Sequence, residues 1–131
     1  MAETEPATVL VADDDELLRE LLTMALSIEG YAVLAAADGL EATQLLEAHL
    51  LPGAAPCVIL LDIMMPRLHG FGVLDYLKAR QLAIPVLAMS ANSNHLLAAL
   101  AVGARGILAK PFEMADVLRA VARYCTAATP C

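Results

Sequence analysis

The feature that most constrains the fold of this chain is a fivefold alternation between short apolar runs and longer segments with helical spacing. The apolar runs occupy residues 9–12, 32–36, 58–61, 84–89 and 107–109. They are rich in valine, isoleucine, leucine and alanine, and bounded runs of this length are typical of buried strands. Strands separated by helix-length connections run parallel, because a short hairpin cannot join parallel neighbours.

Each apolar run is followed by a predicted helix. The first helix begins at Asp15 and ends before Gly30, a residue suited to the left-handed position after a helix. The second begins at Asp38, and Glu41 three residues later resembles a capping box. The remaining helices are predicted over residues 71–80, over 92–102 and from the residue after Pro111 to about Tyr124. The sequence therefore predicts an α/β three-layer sandwich, in which five helices cover both faces of a five-stranded parallel sheet.

Composition excludes several classes of protein. The hydrophobic fraction is 60%, which excludes intrinsic disorder, and every apolar run is too short to cross a bilayer. The net charge of −7 argues against direct nucleic-acid binding. Residues 1–8 are polar and acidic, unlike a secretory leader, so we expect a cytoplasmic protein without a membrane partner. The expected organisation is an N-terminal tail over residues 1–7, one domain over 8–125 and a C-terminal tail over 126–131.

The chain has three cysteines, at positions 57, 125 and 131. Their number is odd and no pair has the Cys-x-x-Cys spacing of many zinc sites. The pattern predicts free thiols, without a disulfide framework or a zinc site.

Residues whose side chains can take part in catalysis or metal binding follow the predicted strands. Ligands bind at these strand ends in sheets of this kind. Asp13 and Asp14 follow the first strand, Asp62 the third, Ser90 the fourth and Lys110 the fifth. Neighbouring carboxylates repel each other unless a cation lies between them. Mg²⁺ is the natural cation for a site of a few carboxylates and retained waters. Asp15 continues the acidic run but is assigned to capping the first helix.

Four motifs in this order resemble the receiver domain of two-component response regulators, including the chemotaxis regulators. They are Val-Leu-Val-Ala-Asp13-Asp14-Asp15, Leu-Leu-Asp62-Ile-Met-Met-Pro66 with Gly70 following, Ala-Met-Ser90-Ala and Lys110-Pro111-Phe112. The resemblance extends from about Thr8 to Tyr124 and implies a flavodoxin-like sheet with strand order 2-1-3-4-5. It also implies a cis peptide bond between Lys110 and Pro111.

The resemblance implies a role for each site residue. Asp62 is the phosphoacceptor, which attacks the phosphohistidine of a sensor histidine kinase or phosphotransfer protein. Asp14, Asp62 and the Met64 carbonyl are ligands of Mg²⁺, and Asp13 acts on the metal mainly through a bound water. The Ser90 hydroxyl and the Lys110 ammonium stabilise the phosphoryl oxygens.

The resemblance also implies the partners. Besides the phosphodonor they are a downstream protein target or a fused output domain, together with a homodimer through the fourth and fifth helix face. The many leucines and alanines of residues 95–101 also suggest an exposed partner surface.

Three positions depart from the family pattern. Ile107 stands where an aromatic switch residue is usual, three residues before Lys110. Ser90 replaces the commoner threonine, and His69 precedes Gly70 where an acidic residue is frequent. His69 is interpreted as a surface loop residue, and His49 and His95 are interpreted as helix residues without a special role.

Two other functions remain open at this point. A degenerate receiver would act only as a protein-interaction module, and the altered Ile107 is compatible with it. An aspartyl-phosphate phosphohydrolase also places a nucleophilic aspartate after a parallel strand, but it usually has a second aspartate two residues later, where this chain has Met64. The favoured interpretation is a signalling module that catalyses only its own phosphoryl transfer and dephosphorylation.

Overall fold

The computed structural model describes residues 6–50 and 55–125. Strands and helices alternate throughout this part of the chain. Their bounds are β1 (Thr8–Ala12), α1 (Glu16–Ile28), β2 (Ala32–Ala36), α2 (Gly39–Ala48), β3 (Val58–Asp62), α3 (Gly70–Ala79), β4 (Val86–Ser90), α4 (Ser93–Ala101), β5 (Gly106–Ala109) and α5 (Met114–Tyr124).

The five strands form one parallel sheet in the order β2-β1-β3-β4-β5, which confirms the expected topology. Every residue of β3 and β4 is buried, whereas the edge strands β2 and β5 are partly exposed. This pattern explains why the run over residues 58–61 is apolar without alternation, since helices cover both faces of the central strands.

Alternate residues of each central strand contribute to two cores. In β1, Leu10 and Ala12 face a core that includes residues of α2, α3 and α4. Val9 and Val11 face the opposite core, which includes residues of α1 and α5. Because both cores are packed against the same strands, the carboxyl ends of those strands are held at fixed positions along one edge of the sheet.

The helix boundaries follow the predicted signals closely. Asp15 caps α1 by accepting the Leu18 N–H, and Asp38 caps α2 by accepting the Glu41 N–H. Gly30 has a φ of 99° after the end of α1, a left-handed conformation that glycine adopts at little cost. β4 begins at Val86 rather than at residue 84. Pro85, directly before it, has no N–H to give to a strand ladder.

The prediction of free thiols is wrong for two of the three cysteines. Cys57, directly before β3, and Cys125, directly after α5, form a disulfide across a Cα–Cα distance of 5.5 Å. The two residues are 68 positions apart, so their spacing in the sequence gives no sign of the pairing. They meet because α5 packs against the start of β3 in the same core. Cys131 lies outside the described residues.

The predicted tails fall mainly beyond the described ranges, which exclude residues 1–5 and 126–131. The predicted domain limits therefore stay a prediction. Within the described ranges, each helix is too short or too polar to cross a membrane.

Candidate functional site

The carboxyl ends of β1 and β3 bring three carboxylates together. Asp13 and Asp14 follow β1, and Asp62 is the last residue of β3, the neighbouring strand. One oxygen from each of the three carboxylates lies within 4.8 Å of the others. The sequence-predicted acidic cluster therefore exists in the fold.

Asp13 is the most buried member of the cluster, with no exposed surface. Its Oδ1 accepts the Asp15 N–H at 2.9 Å, and its Oδ2 accepts a hydrogen bond from Lys110 Nζ at 2.8 Å. A buried carboxylate needs partners of this kind to remain charged. Asp13 therefore has hydrogen-bond donors on both oxygens, whereas Asp14 is exposed and directs a carboxylate oxygen toward the same cluster.

Asp62 is 4% exposed, and protein groups offset its negative charge less completely than that of Asp13. Its Oδ1 accepts the Met64 N–H at 3.1 Å, and its Oδ2 lies 3.4 Å from Lys110 Nζ. Burial, with the nearby negative charge of Asp13, raises the pKa of Asp62 to about 7, although Lys110 and the Met64 N–H lower it. The protein groups around Asp62 therefore offset only part of its negative charge.

Lys110 follows β5 and supplies the positive charge of the site. Burial lowers the pKa of its ammonium, but the hydrogen bond and charge of Asp13, with the charge of Asp62, outweigh that effect and raise it. The peptide bond between Lys110 and Pro111 is cis, which confirms the sequence prediction. The Lys110 N–H also donates to the Ser90 carbonyl at 2.9 Å, so the ends of β4 and β5 are joined at the site.

Ser90, the last residue of β4, is 3% exposed. Its Oγ accepts the Asn92 N–H at 3.0 Å. A hydroxyl has one proton to donate in addition to its acceptor positions. Ser90 can therefore donate to a group bound beside Asp62 while it keeps the bond from Asn92.

An open pocket of about 360 Å³ lies beside these side chains. Its lining includes Asp62, Ser90, Lys110, Asn92 and His95. Asp62, Ser90 and Lys110 therefore border one space large enough for a small anion and bound waters.

The donor set fits Mg²⁺. All three side-chain donors are carboxylate oxygens, the ligand type that a hard divalent cation prefers. The raised pKa of Asp62 shows that further positive charge would be favourable there. The Met64 backbone is tied to Asp62 through its N–H, and the expected role of its carbonyl as a ligand stays a prediction.

The sequence interpretation missed part of the pocket wall, which includes Asn92 and His95. The sequence pattern assigns His95 to a helix without a special role, whereas in the structure it lines the pocket that contains Asp62. Its position on the first turn of α4, five residues after Ser90, is the signal that could have identified it. His69 lies before α3, and its ring contacts Phe71 at a centroid distance of 6.0 Å.

Comparison with known proteins agrees with the fold and the site geometry described above. The family model described as response regulator receiver domain matches residues 9–122. The chain is 37% identical over 115 residues to the response regulator MprA of Mycobacterium sp. strain KMS. This alignment covers 86% of this chain and 48% of that protein. The chain is 35% identical to the probable transcriptional regulatory protein TcrX of Mycobacterium tuberculosis, across 93% of this chain and 52% of that protein.

A solved structure agrees with these sequence relationships. The receiver domain of the Francisella response regulator 1452 superposes with a TM-score of 0.82 at 28% identity. The match covers 94% of this chain and 99% of that one. The chain spans about half the length of the curated relatives it matches, at 48% and 52% of the two named above.

Proposed function

The chain belongs to the response regulator receiver domain family, and we propose that it is a phosphorylation-controlled signalling module of a two-component phosphorelay. It accepts a phosphoryl group on Asp62 from a sensor histidine kinase or a phosphotransfer protein. One observation carries the proposal. Asp62 lies at a sheet edge with the Asp13 and Asp14 carboxylates within 4.8 Å and with Lys110 Nζ 3.4 Å away.

The phosphoryl transfer follows from these side chains. A carboxylate oxygen of Asp62 attacks the phosphorus, so that a P–O bond forms while the P–N bond to the donor imidazole breaks. The donor nitrogen keeps the bonding electron pair. Charge accumulates on the three equatorial oxygens during this step, and the Lys110 ammonium and the Ser90 hydroxyl stabilise it.

Asp14 and Asp62, with the Met64 carbonyl, would hold Mg²⁺, and Asp13 would act on it mainly through a bound water. When bound, the metal neutralises the clustered carboxylates and the phosphoryl oxygens. Asp13 also fixes Lys110 through the 2.8 Å hydrogen bond to Nζ. Lys110 is thereby held beside Asp62 before a phosphoryl group is bound.

Neither alternative function is supported by a specific feature of the described residues. A phosphohydrolase would need an acid two residues after the nucleophile, where Met64 has none. A degenerate receiver would have lost part of the site, but Asp13, Asp14, Asp62 and Lys110 are all present. The proposed activity is confined to the chain's own phosphorylation and dephosphorylation.

The partners belong to the same proposal, because the chain corresponds to only about half of MprA, at 48% of its length. The proposed target is a fused output domain or a separate protein. A homodimer through the face of α4 and α5 is supported by large apolar side chains on α4 and β5, since Leu97 is 63% and Ile107 41% exposed. The cytoplasmic location expected from the sequence stays a prediction.

Phosphorylation with acetyl phosphate and Mg²⁺, followed by borohydride trapping and mass spectrometry, tests the proposal. The trapped acyl phosphate is expected at Asp62, and EDTA should abolish it. Asp62→Asn should remove the label, whereas Asp75→Asn, which changes an exposed aspartate on α3, should retain it. Label at the full level in Asp62→Asn would overturn the assignment.

A further inference from the structure

His95 lies on the first turn of α4 and also lines the pocket that contains Asp62. His95 is the third residue of α4, and its backbone N–H is held by the N-cap residue Asn92. Its ring contacts Phe71, at the start of α3, edge-to-face at a centroid distance of 6.4 Å and an interplanar angle of 85°. His95 is also one of the residues that line the pocket containing Asp62 and Ser90.

The environment of the two ring nitrogens determines where the proton of the neutral imidazole resides. Nδ1 is buried and has no hydrogen-bond partner among the described residues. A buried N–H without an acceptor is rarer in proteins than a buried acceptor without a donor. We therefore assign the proton of the neutral ring to Nε2.

Nε2–H is thus the ring donor of a residue that lines the pocket. The described residues offer it no acceptor, and the group that the proposed function places in this pocket is an anion with several acceptor oxygens. A hydrogen bond from a neutral donor to an ionised acceptor is shorter and stronger than one between neutral groups.

We propose, on the basis of the proposed function, that His95 is a phosphoryl-binding residue whose Nε2–H donates a hydrogen bond to a phosphoryl oxygen on Asp62. This contact ties the first turn of α4 directly to the phosphorylation state, because the imidazole is part of that turn. The edge-to-face contact with Phe71 restricts the orientation of the imidazole.

Beryllofluoride with Mg²⁺, a phosphoryl analogue, provides the test. Its affinity for the wild-type chain and for three variants is measured from amide NMR spectra. His95→Leu should bind about tenfold more weakly, because a hydrogen bond to a charged acceptor is lost. His95→Gln, whose amide N–H can occupy the position of Nε2, should retain most of the affinity, and His95→Asn should behave like His95→Leu.

Imidazole ¹⁵N spectra of the wild-type protein give a second measurement that requires no variant to fold. They should show the Nε2–H tautomer of His95, and its Nε2 resonance should shift when beryllofluoride binds. His49, whose Nδ1 lies 2.8 Å from the Leu45 carbonyl on α2, serves as the internal control and should not shift.

Equal affinities of the wild type and His95→Leu, or an unchanged His95 resonance, would overturn this inference and leave the proposed function intact. Rescue by asparagine instead of glutamine would also overturn it, because the donor would then be Nδ1. Failure of the wild-type protein to bind beryllofluoride would overturn the proposed function, and this inference with it.

Discussion

Lys110 Nζ donates a 2.8 Å hydrogen bond to Asp13 Oδ2, although 97 residues separate the two in the sequence. The same ammonium is 3.4 Å from Asp62 Oδ2. Lys110 therefore contacts the buried Asp13 more closely than the proposed phosphoacceptor. Its first role in the unphosphorylated protein is to compensate a carboxylate that has no access to water.

Lys110→Met should destabilise the metal-free protein, because Asp13 and Asp62 would lose their shared cation. Removing one partner of a fully buried ion pair costs about 3–5 kcal/mol. The Lys110 side chain is 22% exposed, so we expect a smaller loss of about 2 kcal/mol. Urea unfolding in EDTA measures this loss of unfolding free energy. Mg²⁺ should reduce the difference between Lys110→Met and the wild type, because the metal supplies positive charge to the carboxylates. Lys78→Met, at an exposed position of α3, is the control, and an equal loss in both variants would contradict this role.

The ionisation of Asp62 should make the stability of the metal-free protein depend on pH. The folded-state pKa of about 7 exceeds the unfolded value of about 4. The folded protein therefore keeps a proton that the unfolded chain releases above pH ~4. The stability that this proton provides falls as the pH rises from about 4 and is fully lost above about 7.

Asp62→Asn removes that ionisation. The variant should be more stable than the wild type at pH 8 in EDTA by at least about 1 kcal/mol, since one pKa unit corresponds to about 1.4 kcal/mol. The difference should shrink toward pH 5. Urea unfolding at several pH values checks this, and parallel profiles for the two proteins would show that Asp62 does not titrate in this range.

The metal site predicts a difference between two adjacent aspartates. Asp14→Asn should weaken Mg²⁺ binding by about tenfold, because a carboxylate is lost from a site with few protein ligands. Asp15→Asn removes the same charge one residue later but keeps a good capping side chain for α1. Its Mg²⁺ affinity, measured by calorimetry, should remain near that of the wild type. Similar losses in both variants would indicate a general effect of charge instead of ligation by Asp14.

The disulfide predicts the number of free thiols and a contribution to stability. Of the three cysteines, two are paired, so thiol titration of the denatured, unreduced protein should detect one. In a Cys131→Ser background, Cys57→Ser should lower the free energy of unfolding by about 2–4 kcal/mol, since a long loop is no longer closed in the unfolded chain. A reductant should lower the stability of the parent protein similarly and leave Cys57→Ser unchanged. Three titratable thiols would exclude the pairing.

The sequence pattern was sufficient to predict a parallel sheet and the edge at which the site lies, whereas the strand order came from the family resemblance. Strand residues in a doubly wound fold are apolar over short runs, and the first polar residue after each run marks the strand end. This rule located Asp13, Asp62, Ser90 and Lys110, because each lies at or directly after the end of its strand.

Other features depend on packing that no local pattern encodes. Asp13 is fully buried while the adjacent Asp14 is exposed, a difference that arises from the direction of each side chain after β1. The pairing of Cys57 with Cys125 depends on where α5 ends relative to β3. The place of His95 in the pocket wall depends on the orientation of α4, which its helical periodicity does not specify.

Ile107 lies in β5, three residues before Lys110, and its side chain has no polar group. It is 41% exposed and is paired with Ala88 of β4. Ligand binding can shift a conformational equilibrium only through contacts that differ between the two states. Ser90 offers such a contact through its hydroxyl, whereas the Ile107 side chain is apolar and, being β-branched, stiff at χ1.

We therefore expect the response to beryllofluoride and Mg²⁺ to involve Ser90 and the loop that follows it, with little rearrangement at Ile107. Methyl NMR spectra should show the same Ile107 rotamer in both states. Ile107→Val, which keeps the branching and removes one methylene, should leave the amide response of residues 90–95 intact, whereas Ser90→Ala should reduce it. A rotamer change at Ile107 that follows ligand occupancy, or loss of the response in Ile107→Val, would show that this position transmits the signal despite its lack of a polar group.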